Sequence, residues 1–488
     1  MKKLYIVHLV VLTFLTLNLI NLKNLTLIDW DEGAFALQAK WLASEGAEGK
    51  PFNFQTPPLY QLIIAVLFKF WGHKDWILPF ISIICAAVAL YFTFFLGKAL
   101  YNEATGLIAS LLFISTEYFF FFSKSGLSDA TFLLFFIAAI YFFYQGIQKN
   151  QSIHYLYCGL CTILACYTKY TGPILFLIYL FIAIRKHKEL SKFWSLFTII
   201  IPILLLLPYC FIFVKIISIA GITQRHGKLL GINHLKFLFY LFRFSPLILI
   251  CAILYRIKNK IDYFLLTIIL IFFFILGFYY PYFRLALPLI PLFSIFAARF
   301  LYQFKKLKYY LMGLIFLINI VLGFNTLTYH SNIPPLIGSK VDTLCRMYET
   351  NYVLTLVPPN IVFYIKGKIL QPANSLPSQL RDNKFLKNCE FIEMGKNILL
   401  GEKQILFLYT SIFEEFENRI KSLKAKASHI ELIEFIDAPV YYQDLFNPVR
   451  NKKQIYEIYF FEIAKLDSVS LNDLWQIALR PGASVVKK

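Results

Sequence analysis

Apolar runs of bilayer length recur through the first two thirds of this chain, and no other feature constrains its fold as much. They lie at about 4–22, 76–97, 104–123, 129–147, 195–216, 237–255, 263–281, 285–303 and 309–328, each near the ~20 residues a helix needs to cross the hydrocarbon core. A spanning segment must satisfy its backbone hydrogen bonds internally, so a polytopic α-helical membrane protein follows. The 58% hydrophobic content of the 488 residues exceeds the ~45–50% of soluble domains and agrees. Met1, Lys2 and Lys3 precede an apolar stretch with no small-residue cleavage site, which reads as a retained first helix and not a signal peptide.

The run 155–184 is too long for one span, and Lys169-Tyr170-Thr171-Gly172-Pro173 interrupts it, so two short helices meeting at a polar hairpin are expected. Such irregular backbone is tolerated at membrane depth where it faces protein or a cavity. With the N-terminus inside, the loops bearing Lys98, Lys149, the cluster 185–188, Arg256/Lys258/Lys260 and Lys305/Lys306/Lys308 are cytoplasmic, as the positive-inside rule asks. The count is then about eleven transmembrane helices. Residues 57–71 read as a helix lying along the membrane surface; taking them as a twelfth span would invert everything downstream and put the basic clusters outside.

The formal net charge of +20 resides largely in these short inter-span clusters, so it sets topology and argues against nucleic-acid binding. Six of the eight cysteines lie in apolar runs, and Cys158/Cys161 imitates a CxxC pair with no His or second pair nearby, so they read as core filler. Cys345 and Cys389 fall beyond the apolar region and could form a bridge if that part is extracytoplasmic.

The texture changes near residue 330, giving two domains: 1–330 in the membrane, with a first outer loop at 23–75, and 331–488, an extracytoplasmic α/β domain. In the latter, strands are expected at 352–357, 404–409 and 430–435, with a helix opened by a capping box at Ser411 and Glu414 and running to about Ala427. No phosphate loop or paired catalytic carboxylate stands out there, so its expected role is structural or acceptor-docking.

This topology sets Asp31, Asp129, Lys169 and Arg284 on one face, the extracytoplasmic one. Charges at a membrane boundary cost desolvation energy wherever they are not fully wet, which makes such a group a candidate site. Each has a plain alternative. Asp31 and Glu32 can cap an interfacial helix, Asp129 can begin a spanning helix, and Arg284 can anchor an aromatic interface. Lys169 resists its alternative, snorkelling, because it stands in mid-run. Asp29-Trp30-Asp31 fits a DxD metal pattern, a weak signal alone, and the loop 223–228 adds Arg225, for which a solvated loop competes with phosphate binding. Together the acids and cations suit a lipid-phosphate-sugar donor: cations hold the leaving phosphate, and a carboxylate takes the proton of an attacking hydroxyl.

The ordered elements Asp31-Glu32, Pro57-Pro58-Leu59, Gly126-Leu127-Ser128-Asp129, Gly159 with 167–173, and Arg284 with Pro288 and Pro291 resemble the GT-C superfamily of polyprenyl-phosphate-sugar-dependent glycosyltransferases. The nearest branches are the protein O-mannosyltransferases and lipid A aminoarabinose transferases. The resemblance covers about residues 1–330. It implies an enzyme of bacterial type, placed in the inner membrane, with Asp31 as acceptor base or orienter, Glu32 supporting it and Asp129 in the same acidic pocket. Because phosphate is already a good leaving group, one base suffices and the displacement should invert the anomeric centre. Lys169 and Arg284 are implied near the donor phosphate, with Arg225 and Tyr170 added to that set. The implied partners are a polyprenyl-phosphate sugar and a glycolipid, polysaccharide or protein acceptor. No cofactor is expected, and no metal is favoured. The chain departs from the aminoarabinose branch at Thr56, where that branch has a lysine before Pro-Pro, which weakens that substrate. The rivals are a transporter or lipid flippase, with Lys169 lining a path, and a non-catalytic scaffold.

Overall fold

The structure is a computed structural model. It describes residues 2–50, 52, 56–186, 190, 193–208, 233–278, 282–322, 332–350, 352–370, 404–410, 417–441, 449–462, 465–470, 474 and 484–487. The helices are α1 (Lys2–Ile20), α2 (Trp30–Ala43), α3 (Leu59–Trp71), α4 (Ile77–Leu100), α5 (Glu103–Ile114), α6 (Glu117–Lys124), α7 (Asp129–Lys149), α8 (Ser152–Thr168) and α9 (Ile174–Lys186). They continue with α10 (Leu196–Pro208), α11 (Asn233–Phe244), α12 (Pro246–Leu254), α13 (Lys260–Leu276), α14 (Leu289–Tyr302), α15 (Leu307–Leu322), α16 (Ile333–Met347), α17 (Pro359–Val362) and α18 (Glu417–Lys424).

Among the described residues, α4 and α7 are each long and apolar enough to cross a bilayer. The expected continuous spans at 104–123 and 237–255 are instead bent pairs: α5 meets α6 at 69° and α11 meets α12 at 109°. At the first break the Ser115 and Thr116 hydroxyls donate to the Leu112 and Phe113 carbonyls at 2.7 and 2.8 Å, taking up acceptors that the interrupted ladder releases. At the second, Pro246 supplies no backbone donor and starts the new helix at its N-terminal turn, where none is required. Large apolar side chains such as Leu9, Phe70, Ile184 and Phe274 stay exposed, as a surface facing lipid would require.

Helix α4 is the hub, packing against α7, α5, α6 and α1. Its crossing with α5 is close because a Cβ on Gly97 would stand 2.8 Å from the Gly106 Cα; small residues let membrane helices approach in this way. The hairpin between α8 and α9 exists as expected. A Cβ on Gly172 would meet the Cys166 backbone at 2.6 Å, so the turn folds tightly against the end of α8. Cys158 is buried and Cys161 half-buried within α8.

Among the described residues after α16, six strands form one sheet in the order β2-β6-β1-β3-β5-β4. Its strands are β1 (Tyr352–Leu356), β2 (Lys368–Leu370), β3 (Gln404–Thr410), β4 (His429–Tyr441), β5 (Val449–Glu462) and β6 (Ser484–Lys487). β1 and β3 pair in parallel, with Leu354 opposite Phe407, and the other pairings are antiparallel. The expected strands at 352–357, 404–409 and 430–435 correspond to β1, β3 and β4. The capping box at Ser411 lies outside the described residues, as does Cys389, while Cys345 is buried in α16.

Candidate active site

The site begins at the N-terminus of α2. Asp29 is its N-cap, with Oδ1 accepting from Asp31 N at 2.6 Å, while Glu32 Oε2 reaches back to Asp29 N at 3.0 Å, completing a capping box. Glu32 does more than cap. Oε2 also accepts from Ile28 N at 2.6 Å, and Oε1 accepts from Gly126 N at 2.6 Å, ninety-four residues along the chain. Glu32 is therefore a strut that fixes the start of α2 against the turn carrying Asp129. A Cβ on Gly126 would lie 2.8 Å from that of Leu78, so this approach needs glycine.

Burial raises the Glu32 carboxyl, and its three backbone N–H donors oppose that rise. Burial, followed by repulsion from Asp31, holds the Asp29 carboxyl well above its ordinary value. Of the two acids of the DxD pattern, Asp29 caps α2 through Oδ1 and Asp31 meets Arg284. Among the described residues no group of three or more His, Cys, Asp or Glu side chains is placed to hold a metal.

Asp31 projects from the first turn of α2 and meets Arg284, whose Nη2 donates to Oδ2 at 2.6 Å. Arg284 sits on the 3₁₀ turn Phe283–Ala286 ahead of α14 and also stacks on Tyr282 at 5.2 Å. That turn is gripped by aromatics. Phe283 packs against Tyr118, Phe121, Phe122, Tyr240 and Phe244, and the Tyr118 hydroxyl donates to the Phe283 carbonyl at 3.0 Å. The bends of α5/α6 and α11/α12 thus deliver the rings that seat the arginine. Arg243 and Glu117 pair across the two bent elements at 3.2 Å.

A second pair joins Lys169 Nζ, at the end of α8, to Asp129 Oδ1, at the start of α7. The Asp129 side chain is 2% exposed, and its Oδ2 has no hydrogen-bond partner among the described residues. Tyr170 is half-buried in the same hairpin, and Arg225 lies outside the described residues. At the departure noted in the sequence, the Thr56 hydroxyl accepts from Gln61 Nε2 at 2.7 Å, so a neutral pair stands there.

Of the candidates, Asp31 with Arg284 and Asp129 with Lys169 are brought into direct contact, and Glu32 links the two elements carrying the acids. Sequence reasoning grouped the two cations together and did not pair them with acids. It also missed Tyr118, a residue inside an apolar run with no signal to single it out.

Among curated proteins, a comparison by sequence finds no match. A family model described as dolichyl-phosphate-mannose-protein mannosyltransferase matches residues 55–212. Of solved structures, ArnT from Cupriavidus metallidurans bound to undecaprenyl phosphate aligns with a TM-score of 0.63 at 10% identity, over 96% of this chain and 98% of that one. Its apo form gives 0.62 at 10% identity, over 94% and 98%. An Archaeoglobus fulgidus oligosaccharyltransferase in the apo form gives 0.50 at 11% identity, over 83% and 69%. The expected GT-C resemblance is borne out at the level of the fold, which this chain shares with ArnT along almost its whole length.

Proposed function

We propose that this chain is an integral-membrane, inverting glycosyltransferase of the GT-C superfamily, moving one sugar from a polyprenyl-phosphate donor to a hydroxyl acceptor on the extracytoplasmic side of a bacterial inner membrane. The observation that carries the reading is the pairing of Arg284 with Asp31 and of Lys169 with Asp129 beside one strut, Glu32. The fold in which they occur also belongs to a protein crystallised with undecaprenyl phosphate. In this reading the bent pairs and the shorter apolar helices make up about eleven spans, and the sheet domain lies outside the membrane.

The acceptor oxygen attacks the anomeric carbon from the face opposite the phosphate. Its proton passes to the Asp31 carboxylate as the carbon–oxygen bond to phosphate breaks, and the leaving oxygen departs with the bonding pair. Arg284 and Lys169 neutralise the phosphate as its charge grows, which is worth more in a water-poor site than in water. Arg225 and Tyr170 belong to the same proposed phosphate contacts, and Asp129 orients Lys169. A donor phosphate would compete with Asp31 and Asp129 for these two cations, releasing Asp31 towards the acceptor as the donor seats.

The acceptor is a glycolipid, a polysaccharide or a protein, and the reaction as written uses no cofactor. The test is sugar transfer by the purified protein from a panel of polyprenyl-phosphate sugars, with Asp31→Asn in parallel. Loss of general-base help is expected to cost about 10²–10⁴ in rate. A folded Asp31→Asn protein with full transfer activity would remove the base role. Activity that persists in EDTA is expected; its abolition, with restoration by a divalent ion, would revive the metal reading.

A further inference from the structure

We infer that Asn360 and Tyr364, which belong to the part of the chain beyond the membrane helices, are positioning residues that mount Asp31 in the active site. Leu27 and Ile28 are the last two residues of the connection from α1 to the cap of α2, and their backbone groups are fully accounted for. Asn360 Nδ2 donates to the Leu27 carbonyl at 3.3 Å and to the Ile28 carbonyl at 2.9 Å. Leu27 N donates to the Tyr364 hydroxyl at 3.0 Å, and Ile28 N donates to Glu32.

The orientation of both side chains is fixed by what they meet. Two carbonyls can only accept, so the amide nitrogen of Asn360 must face them. Its Oδ1 is buried with no partner among the described residues, so nothing else recorded there holds this amide in place. Tyr364 has one hydroxyl proton, which it donates to Asp75 Oδ2 at 2.8 Å, just ahead of α4; it therefore meets Leu27 N as an acceptor. Backbone contact completes the mounting. A Cβ on Gly33, in the first turn of α2, would lie 2.0 Å from Asn360 N, so α17 and the catalytic helix touch main chain to main chain.

The turn bearing Asp31 is thus held by two ties: Glu32 joins it to the Gly126 turn, and Asn360 with Tyr364 join the residues leading into it to the part of the chain that follows α16. Only the second tie comes from a part of the chain whose expected role was structural or acceptor-docking. A carboxylate must sit within a fraction of an ångström of a productive position to serve as a base, and a 1 Å error can cost about 100-fold in rate.

This inference rests on the base role of Asp31, and a double-mutant cycle in the full-length protein tests the two separately. Asn360→Leu removes both donors at similar volume, and Tyr364→Phe removes only the hydroxyl. Each is expected to lower kcat by about 100-fold with the donor KM within about threefold. In an Asp31→Asn background the same substitutions are expected to cost less than about threefold, because groups that act through one another are not additive. A general structural defect would lower both backgrounds by the same factor, and that result overturns the inference. Full activity of either substituted protein also overturns it. Full activity of Asp31→Asn alone overturns the base role, and the inference with it. Should Asn360→Leu fail to fold, Tyr364→Phe carries the cycle.

Discussion

Lys169→Met breaks the more deeply buried of the two ion pairs, and its cost follows from what it leaves behind. The Asp129 side chain is 2% exposed and Lys169 13%, so neither charge can recover its hydration by a small movement. One Asp129 oxygen already lacks a partner among the described residues, and removing Lys169 strips the other of its ammonium. Stranding one charge of a buried pair costs about 3–5 kcal/mol. Thermal midpoints move by ~2–4 °C per kcal/mol in chains of 150–250 residues and by less in longer ones, so a fall of about 3–10 °C is expected here. Replacing both members is a different perturbation. Lys169→Met with Asp129→Asn leaves no buried charge, and buried pairs exchanged for neutral groups are often close to neutral in stability. The assay is the apparent unfolding midpoint of the purified protein in one detergent at a fixed heating rate, for the two single variants and the double one. Recovery of most of the lost midpoint in the double variant is expected, with transfer activity absent because the proposed phosphate contact of Lys169 has gone. A double variant no more stable than Lys169→Met would show that Asp129 is not a stranded charge, and would refute this account of the pair.

Gly33→Ala places a methyl group where Asn360 N stands 2.0 Å away; transfer activity is expected to fall by about 100-fold, because the helix bearing Asp31 must shift, and unchanged activity would show that the contact yields freely. Tyr118→Phe removes the donor to the Phe283 carbonyl; leaving a buried acceptor unmade costs about 1–3 kcal/mol, so a lower midpoint and a raised donor KM are expected as Arg284 loosens, and an unaltered KM would separate Tyr118 from the arginine. Asp29→Asn keeps an N-cap acceptor but removes a buried charge. The Asp29 carboxyl is held above its ordinary value, so its stabilising contribution is complete below the unfolded value near 3.8 and is lost as pH rises through the folded one. The midpoint advantage of Asp29→Asn over the parent should therefore grow with rising pH, and an advantage that shrinks would contradict the burial of this acid.

What could be read in the sequence was what is expensive. An acid opening an apolar run, a lysine in the middle of one and an arginine between aromatics all cost free energy unless compensated, so Asp129, Lys169 and Arg284 were conspicuous without any structure. Gly172 and Pro173 likewise announced the hairpin, because few residues besides these interrupt a helix. The break at Ser115 and Thr116 gave no such notice. The short polar run Ser115-Thr116-Glu117 is swamped when hydropathy is averaged over a span, so a continuous span was expected where the helices bend by 69°. Pairing was equally hidden, since Arg284 and Asp31 stand 253 residues apart and composition says nothing of which acid a cation will meet.

Asn360 and Tyr364 mark the further limit. They belong to a stretch of mixed composition, where a polar side chain costs little and so draws no notice. Their consequence arises only because α17 docks on Gly33, and that contact needs a missing Cβ on one chain segment and main chain on another. An asparagine in such a setting has the ordinary appearance of a turn residue. It becomes a candidate positioning residue once its two acceptors prove to be the carbonyls that lead into the helix bearing Asp31.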